Sequence, residues 1–230
     1  MDEPQIIALP TGEFTFPADG DEYPGQAGLV VAYAIRYAEG IFLFDTGFAT
    51  DGPELDEFYV RWQVKPRDLD EVFAEAGIDA QEVTAIANCH LHLDHSGQNA
   101  RFPAIPIYVQ RAEWTAAHEP DYTYLPSIEF PGASYIQLDG EVEPRPGLRI
   151  LPTPGHSPGH QSLVVDTRDG LLLLAGQAVY SQGEWIGIPG AREGESVARD
   201  GDAYRASVAR LRALRPKRVL FGHDRQGWPG

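Results

Sequence analysis

The sequence is poor in cysteine and in long hydrophobic runs. Its 230 residues include one cysteine, Cys89, so an intrachain disulfide is excluded, which fits a reducing compartment. No run approaches the roughly 20 apolar residues that cross a bilayer. The acidic residues 1–4 do not resemble the start of a secretory signal. We therefore expect a cytoplasmic protein that does not associate with a membrane.

Basic residues are also scarce. The chain has 18 Lys and Arg against 34 Asp and Glu, a formal charge of −16 at pH 7 and a pI near 4.7. Such a field repels phosphodiesters, so we expect no nucleic-acid partner. It also disfavours strongly anionic substrates and tolerates neutral small molecules. Five arginines between Arg205 and Arg218, together with Lys217, are expected to form a solvated helix face. The oligomeric state is not readable from the sequence.

The rest of the composition is that of a globular protein. Hydrophobic residues make up 43%, and 24 glycines with 19 prolines indicate many turns. The length suits one core, so we predict a single domain, 1–230. Short apolar runs predict strands near residues 6–9, 29–37, 41–44, 83–87, 105–109, 135–138, 148–151, 161–166, 171–175 and 218–221. Amphipathic patterns predict helices near 68–76, 111–118 and 203–214.

Residues 90–95, His-Leu-His-Leu-Asp-His, concentrate three imidazoles and one carboxylate directly after a predicted strand. Side chains two apart on a strand share a face, so His90 and His92 should point the same way. Asp94 and His95 follow at a turn that can aim both at the same centre. These ligand types suit zinc, manganese, iron or cobalt. Cys89 should face away and pack as a small core residue.

Three further segments place polar residues at predicted strand ends. Residues 152–160 form a Gly- and Pro-rich turn that fixes His156 at a strand end. His223 lies in Gly-His-Asp after the last predicted strand. Asp45 begins Asp-Thr-Gly, which is either a capped turn or a support for the 90–95 loop.

In this order the motifs H-x-H-x-D-H, T-P-G-H-x-P-G-H and G-H-D resemble those of the metallo-β-lactamase superfamily. The resemblance covers most of the chain and implies an α/β fold, the four-layer αβ/βα sandwich with two mixed β-sheets and helices outside. It implies metal one on His90, His92 and His156, and metal two on Asp94, His95 and His223, with His160 structural. Gln177 stands where most members carry an aspartate that bridges the metals, and its amide oxygen is a neutral, weaker ligand.

Within that family the chain is similar to the N-acyl-homoserine lactonases that act in quorum quenching. The shared stretches are 90–97, 102–110, 153–163 and 221–224. This resemblance implies a hydrolase with one or two zinc ions, acting on a lactone or ester carbonyl. It also implies that Tyr180, three residues after Gln177, donates a hydrogen bond to the carbonyl oxygen as charge develops there. Asp94 would in addition return a proton to the leaving alkoxide.

Two other functions remain open at this point. A glyoxalase II-like thioester hydrolase would carry a further basic C-terminal region, whereas seven residues follow His223. The other alternative is a metal-binding family member whose catalysis is weak because Gln177 replaces the bridging aspartate. The segment 51–65 carries aromatic residues at helical spacing and is either a short core helix or a lid over the site.

Overall fold

The computed structural model describes residues 3–19, 23–52 and 55–229. The strands are β1 (Gln5–Thr15), β2 (Ala27–Tyr37), β3 (Gly40–Phe44), β4 (Lys65–Pro66), β5 (Val83–Ala87), β6 (Pro106–Gln110), β7 (Ser134–Leu138), β8 (Val142–Arg145), β9 (Leu148–Pro152), β10 (Gln161–Thr167), β11 (Gly170–Leu174) and β12 (Arg218–Leu220). The helices are α1 (Asp56–Arg61), α2 (Leu69–Ala76), α3 (Leu93–Ser96), α4 (Arg111–Ala116), α5 (Gln182–Ile186) and α6 (Gly201–Ala213). None of these helices is long and apolar enough to span a bilayer.

The larger sheet has the strand order β4-β1-β2-β3-β5-β6-β7. Strands β1, β2 and β3 pair antiparallel, and β3, β5 and β6 pair parallel, so the sheet is mixed. Residues 28–35 of β2 are all buried, as expected for a strand covered on both faces. The parallel strands β3 and β5 end at the same edge of the sheet, and this edge carries Asp45 and the 88–95 loop.

The smaller sheet has the order β12-β11-β10-β9-β8, with β11 and β12 parallel and the other neighbouring strands antiparallel. Leu163 and Leu173 are fully buried within it. Asp200 caps the start of helix α6, because its side chain accepts a hydrogen bond from the Ala203 amide. The helix buries Tyr204 and Leu211. Leu211 belongs to the same apolar core as Leu173.

The chain divides into two compact units, and each is described by itself. The first unit comprises residues 2–108 and 117–136, and the second comprises 109–116 and 137–230, so the boundary passes through β6 and β7. The predicted fold class, α/β with two mixed sheets and flanking helices, is confirmed. The single domain over 1–230 stays a prediction.

Two segments outside the predicted strands and helices hold regular structure. Strand β1 was expected to end before Pro10, but it continues to Thr15, because the register with β2 shifts between Pro10 and Gly12 and absorbs the proline. Helix α5 lies in residues 182–201, a Gly- and charge-rich segment for which neither a helix nor a strand was predicted. It forms because Ser181 caps it, accepting a hydrogen bond from the Glu184 amide.

The segment 51–65 contains helix α1, and residues 53 and 54 lie outside the described part. None of the residues of α1 is buried, so the core-helix interpretation is wrong. Its aromatic side chains lie over one another, with the rings of Phe58 and Trp62 stacked at 5.7 Å, and Trp62 packs on Phe14 and Phe16. The lid interpretation stays a prediction.

Candidate active site

The first unit brings four predicted ligands together. Strand β5 ends at Ala87, so His90 and His92 lie on a loop and not on the strand end, and Asp94 and His95 lie on α3. Even so, His90 Nε2 is 2.8 Å from His92 Nδ1. The carboxylate of Asp94 is 3.2 Å from His95 Nε2. Candidate ligand atoms of His90, Asp94 and His95 all lie within 4.8 Å of one another.

Asp45 fixes the orientation of this cluster from the end of β3. Its Oδ1 accepts a hydrogen bond from the Cys89 amide at 2.7 Å, and its Oδ2 lies 2.9 Å from His95 Nδ1. The residue has φ of 68°, a conformation that costs a non-glycine residue about 1 kcal/mol or more. The carboxylate thus supports the 88–95 loop. With Nδ1 held by Asp45, the Nε2 of His95 faces Asp94.

A buried polar network holds the same loop from behind. Asn88 donates through Nδ2 to the His95 carbonyl at 2.9 Å, and Asn99 donates to Asn88 Oδ1 at 2.8 Å. Thr46 donates to Asn99 Oδ1 at 2.9 Å. At Gly97 an added Cβ would lie 2.0 Å from the Ala49 amide nitrogen, so only glycine allows this close approach. The network leaves little freedom for His95 to move.

Cys89 is fully buried, as expected, but it does not face away from the histidines. Because residues 88–92 leave the strand, its Sγ lies 3.1 Å from His90 Nδ1 and 3.3 Å from His95 Nδ1. Burial raises the pKa of this thiol well above its ordinary value. Cys89 is therefore a neutral thiol beside two imidazoles, and it belongs to two of the side-chain groups whose ligand atoms converge within 4.8 Å, so its role as a packing residue and not a ligand stays a prediction.

The electrostatics of the cluster favour a cation. Burial alone lowers the pKa of His95, but the carboxylates of Asp94 and Asp45 are among the groups that raise it, and the net pKa is well above the ordinary value. The negative potential that holds a proton on His95 equally attracts a divalent ion. Imidazole nitrogens beside a carboxylate oxygen are the donors that zinc prefers. The residues present therefore fit a metal.

In the second unit, His156 is buried on the loop that follows β9. An added Cβ at Gly155 would lie 2.4 Å from Tyr204 Cα, and one at Gly159 would lie 2.1 Å from the Glu113 amide nitrogen. Glu113, buried on α4, accepts hydrogen bonds from Ser157 Oγ at 2.6 Å and from the Gly159 amide at 3.1 Å. Two close backbone approaches and one buried carboxylate thus fix the loop that carries His156.

His160 is structural, as the resemblance implied. Its Nε2 accepts a hydrogen bond from the Gln177 amide at 2.9 Å, so its proton is on Nδ1 and is donated to Thr153 Oγ1 at 2.9 Å. The backbone of Gln177 is fixed in this way. Gln177 is 7% exposed, and its side-chain amide makes no hydrogen bond with the part of the chain that the structure describes.

Tyr180 and His223 lie together in the second unit. Their rings stack at 4.6 Å with an interplanar angle of 19°, and the Arg192 guanidinium lies 5.5 Å from the centre of the Tyr180 ring. Glu184 fixes the Tyr180 backbone, because its Oε2 accepts a hydrogen bond from the Tyr180 amide at 2.6 Å. Its Oε1 accepts from the Tyr204 hydroxyl at 2.7 Å. Burial is the main cause that raises the pKa of Glu184.

The predicted site residues thus fall into two clusters. The first unit holds His90, His92, Asp94 and His95, and the second unit holds His156, Gln177, Tyr180 and His223. The Gly222 amide donates to the Gly176 carbonyl at 3.1 Å, which joins the segments that carry Gln177 and His223. Glu113, Glu184 and Arg192 were not predicted from the sequence. The Ser-x-x-Glu spacing of residues 181–184 is a helix-capping pattern that could have indicated Glu184.

Comparisons with known proteins give a consistent result. The model of the metallo-beta-lactamase superfamily matches residues 25–223. An N-acyl homoserine lactonase of a Bacillus species is 33% identical over 208 residues, which cover 85% of this chain and 81% of that protein. One from Bacillus cereus is 32% identical with the same coverage. An N-acyl homoserine lactone hydrolase, solved with N-hexanoyl-L-homoserine at its catalytic metal centre, matches with a TM-score of 0.79 and 28% identity over 98% of this chain and 95% of that chain.

Proposed function

The chain belongs to the metallo-beta-lactamase superfamily and is a hydrolase of that fold, and we propose that it opens the ring of neutral lactones, with N-acyl-homoserine lactones as the preferred class. The observation that carries the proposal is its likeness to N-acyl homoserine lactonases over 85% of its length. The acidic chain agrees with an uncharged substrate.

The proposal includes the metal ligands implied by the signatures. His90, His92 and His156 form one set, and Asp94, His95 and His223 form the other, with Gln177 in the position that bridges them in most members. Zinc is the proposed ion. When bound, it polarises an ester carbonyl and lowers the pKa of a water molecule toward neutrality. The convergence of the imidazole and carboxylate atoms around residues 90–95 supports this assignment.

Two side chains act on the reacting groups in this proposal. Tyr180 donates its hydroxyl proton in a hydrogen bond to the lactone carbonyl oxygen as negative charge develops there. Glu184 holds the Tyr180 backbone and the His223 ring supports one face of the phenol, so little reorganisation is needed. Asp94 accepts a proton that the attacking water loses and returns it to the departing alkoxide, which becomes the hydroxyl of the product.

A pH-indicator assay over a substrate panel tests the proposal. N-Hexanoyl-homoserine lactone, a short unsubstituted lactone, a glutathione thioester and a phosphodiester are compared at equal concentration. We expect the acyl-homoserine lactone to have the highest kcat/KM. Faster hydrolysis of the thioester would support the glyoxalase II-like alternative, and faster hydrolysis of the phosphodiester would overturn the substrate class.

Tyr180→Phe is the matched variant for the proposed hydrogen bond, since it keeps the ring and removes only the hydroxyl. Loss of one such donor costs about 10²-fold in kcat. An unchanged kcat in Tyr180→Phe would leave Tyr180 as a packed core residue.

A further inference from the structure

We propose that a cleft of about 370 Å³ in the second unit is a binding site for a small aromatic carboxylate, separate from the residues of the hydrolytic site. The cleft lies where α6 ends and β12 begins. Its lining residues are Trp185, Arg212, Arg215, Pro216, Lys217 and Trp228. None of them is a predicted ligand or catalytic group.

Two tryptophans form the apolar part of the cleft. The rings of Trp185 and Trp228 lie 6.3 Å apart at an angle of 56°, so together they make a corner and not a flat wall. Trp228 is held by two backbone hydrogen bonds with Val219, at 2.6 and 2.7 Å. Trp185 is 9% exposed. The half-buried Trp228 and the small exposed part of Trp185 offer aromatic surface to a flat ring.

Three basic residues line the same cleft, and one of them is part of its wall. Arg212 donates through Nη2 to the carbonyls of Glu184 and Trp185 at 3.1 and 3.0 Å, and its guanidinium lies 5.6 Å from the centre of the Trp185 ring. Arg215 and Lys217 differ from it, because within the described residues their side chains make no hydrogen bond and no ion pair.

That lack of acidic partners is unusual in a chain of net charge −16. On the same helix, Arg205 pairs with Glu195 and Asp202, and Arg210 pairs with Glu141 at 2.9 Å. The arginines of this segment are therefore not uniformly the solvated face that the sequence predicted. Arg205 and Arg210 are neutralised by acidic groups, whereas Arg212 in the last turn of α6 and Arg215 and Lys217 just beyond it give a local positive charge beside two tryptophans.

The backbone places both free cations. Arg215 has φ of 52°, the left-handed conformation that usually belongs to glycine just after a helix. Lys217 donates its amide to the Leu171 carbonyl at 2.8 Å. Its aliphatic stem lies so close to Gly170 that an added Cβ there would be 2.7 Å from Lys217 Cγ. The backbones of both residues and the stem of Lys217 are thus held beside the aromatic corner, and their exposed charged ends can turn toward a ligand.

The class of ligand follows from the aromatic corner, the basic side chains beside it and the volume of the cleft. The corner accepts a planar apolar ring, and the guanidinium and ammonium groups accept one carboxylate. The volume is at the lower end of small-molecule pockets, which run from about 300 to 1,000 Å³, so it suits one or two fused rings.

Isothermal titration calorimetry with 1-naphthoate tests the site on the purified protein in its metal-bound form. The neutral 1-naphthamide removes the charge, cyclohexanecarboxylate removes the planar ring, and inorganic phosphate keeps only an anion. We expect 1-naphthoate to bind about tenfold or more tightly than each of the three. Equal affinity for the amide or for phosphate would overturn the proposed ligand chemistry, as would no detectable binding of 1-naphthoate at millimolar concentration.

Variants locate the binding. Arg215→Asn retains a residue that tolerates the left-handed conformation, and Lys217→Gln retains most of the stem. We expect each to weaken 1-naphthoate binding by about three- to tenfold and the double variant to abolish it. Arg218→Gln is the matched control, because Arg218 is exposed nearby but does not line the cleft. Wild-type affinity in the double variant would place the ligand elsewhere, for instance at the metal ligands, and would refute the proposal.

Discussion

Asp45→Asn changes one oxygen of the residue that holds His95 and leaves its volume almost unchanged. In the wild type, Oδ1 accepts a hydrogen bond from the Cys89 amide, and Oδ2 lies 2.9 Å from His95 Nδ1. The Cys89 amide can only donate, so the asparagine carbonyl must take the Oδ1 position. The asparagine NH₂ group then faces His95 Nδ1, and that nitrogen must accept instead of donate.

The consequence for metal binding follows from the tautomer. A neutral imidazole that accepts at Nδ1 carries its proton on Nε2, the nitrogen that lies 3.2 Å from Asp94. A protonated Nε2 cannot ligate. If the imidazole instead keeps its proton on Nδ1, so that Nε2 can ligate, the Nδ1–H and the asparagine NH₂ group face each other as two buried donors. This arrangement costs about 1–3 kcal/mol. We therefore expect metal affinity to fall by roughly ten- to a hundredfold, the range found when partners of metal-bound histidines are changed.

Calorimetric titration of zinc into metal-free protein measures this directly. The wild type, Asp45→Asn and Asp166→Asn are compared, and Asp166, exposed on β10, serves as the control for the loss of one charge. Urea unfolding of the metal-free proteins separates lost affinity from lost stability. Equal zinc affinities in Asp45→Asn and the wild type would refute the tautomer argument.

Three further predictions concern other parts of the molecule. In calorimetry the wild type should bind two metal ions with unequal affinity, because Gln177 supplies a neutral amide where an aspartate would add negative charge between two dications. Gln177→Asp should tighten binding at the weaker site. Two equally tight sites that the substitution leaves unchanged would contradict this. Glu184→Gln should lower kcat by about tenfold, because it releases the Tyr180 backbone. In a Tyr180→Phe background the same substitution should not lower kcat further. Independent, additive losses of kcat would show that Glu184 does not act through the Tyr180 hydroxyl. Asp68→Ala should lower the free energy of unfolding by about 1 kcal/mol at neutral pH, because Asp68 caps α2 through the Asp70 amide. Burial raises the pKa of Asp68, but hydrogen bonds from Arg101 and the helix amides lower it further, so the net pKa is below the ordinary 3.8. The stabilisation by Asp68 is therefore present above pH 3.8 and should be lost in urea titrations at lower pH.

The sequence predicts the elements whose signal is local. The apolar runs that became β2, β5 and β10 were identified because buried strands are short, hydrophobic and rich in branched residues. The family motifs placed His90 and His223 directly after predicted strands, and in the structure both follow strands.

Local patterns could not establish the supporting contacts because these join residues distant in sequence, and the Asp-Thr-Gly motif left Asp45 open between a capped turn and a support for the 90–95 loop. Asp45 meets His95 across 50 residues, and Glu113 meets Ser157 across 44. Nothing in the pattern around Glu113 distinguishes it from a solvated helix residue. The continuation of β1 through Pro10 depends on a register shift against β2, which is likewise a property of the pairing and not of the local sequence.

The proposed function depends most on metal-dependent hydrolysis by the histidine cluster at residues 90–95. Its most direct test is the rate of N-hexanoyl-homoserine lactone hydrolysis as zinc is added back to protein that elemental analysis shows to be metal-free. We predict no hydrolysis above background without metal, a rise that saturates within two equivalents of zinc, and neither metal retention nor activity in His92→Ala. Undiminished hydrolysis by the metal-free protein, or full metal content and full activity in His92→Ala, would contradict the account.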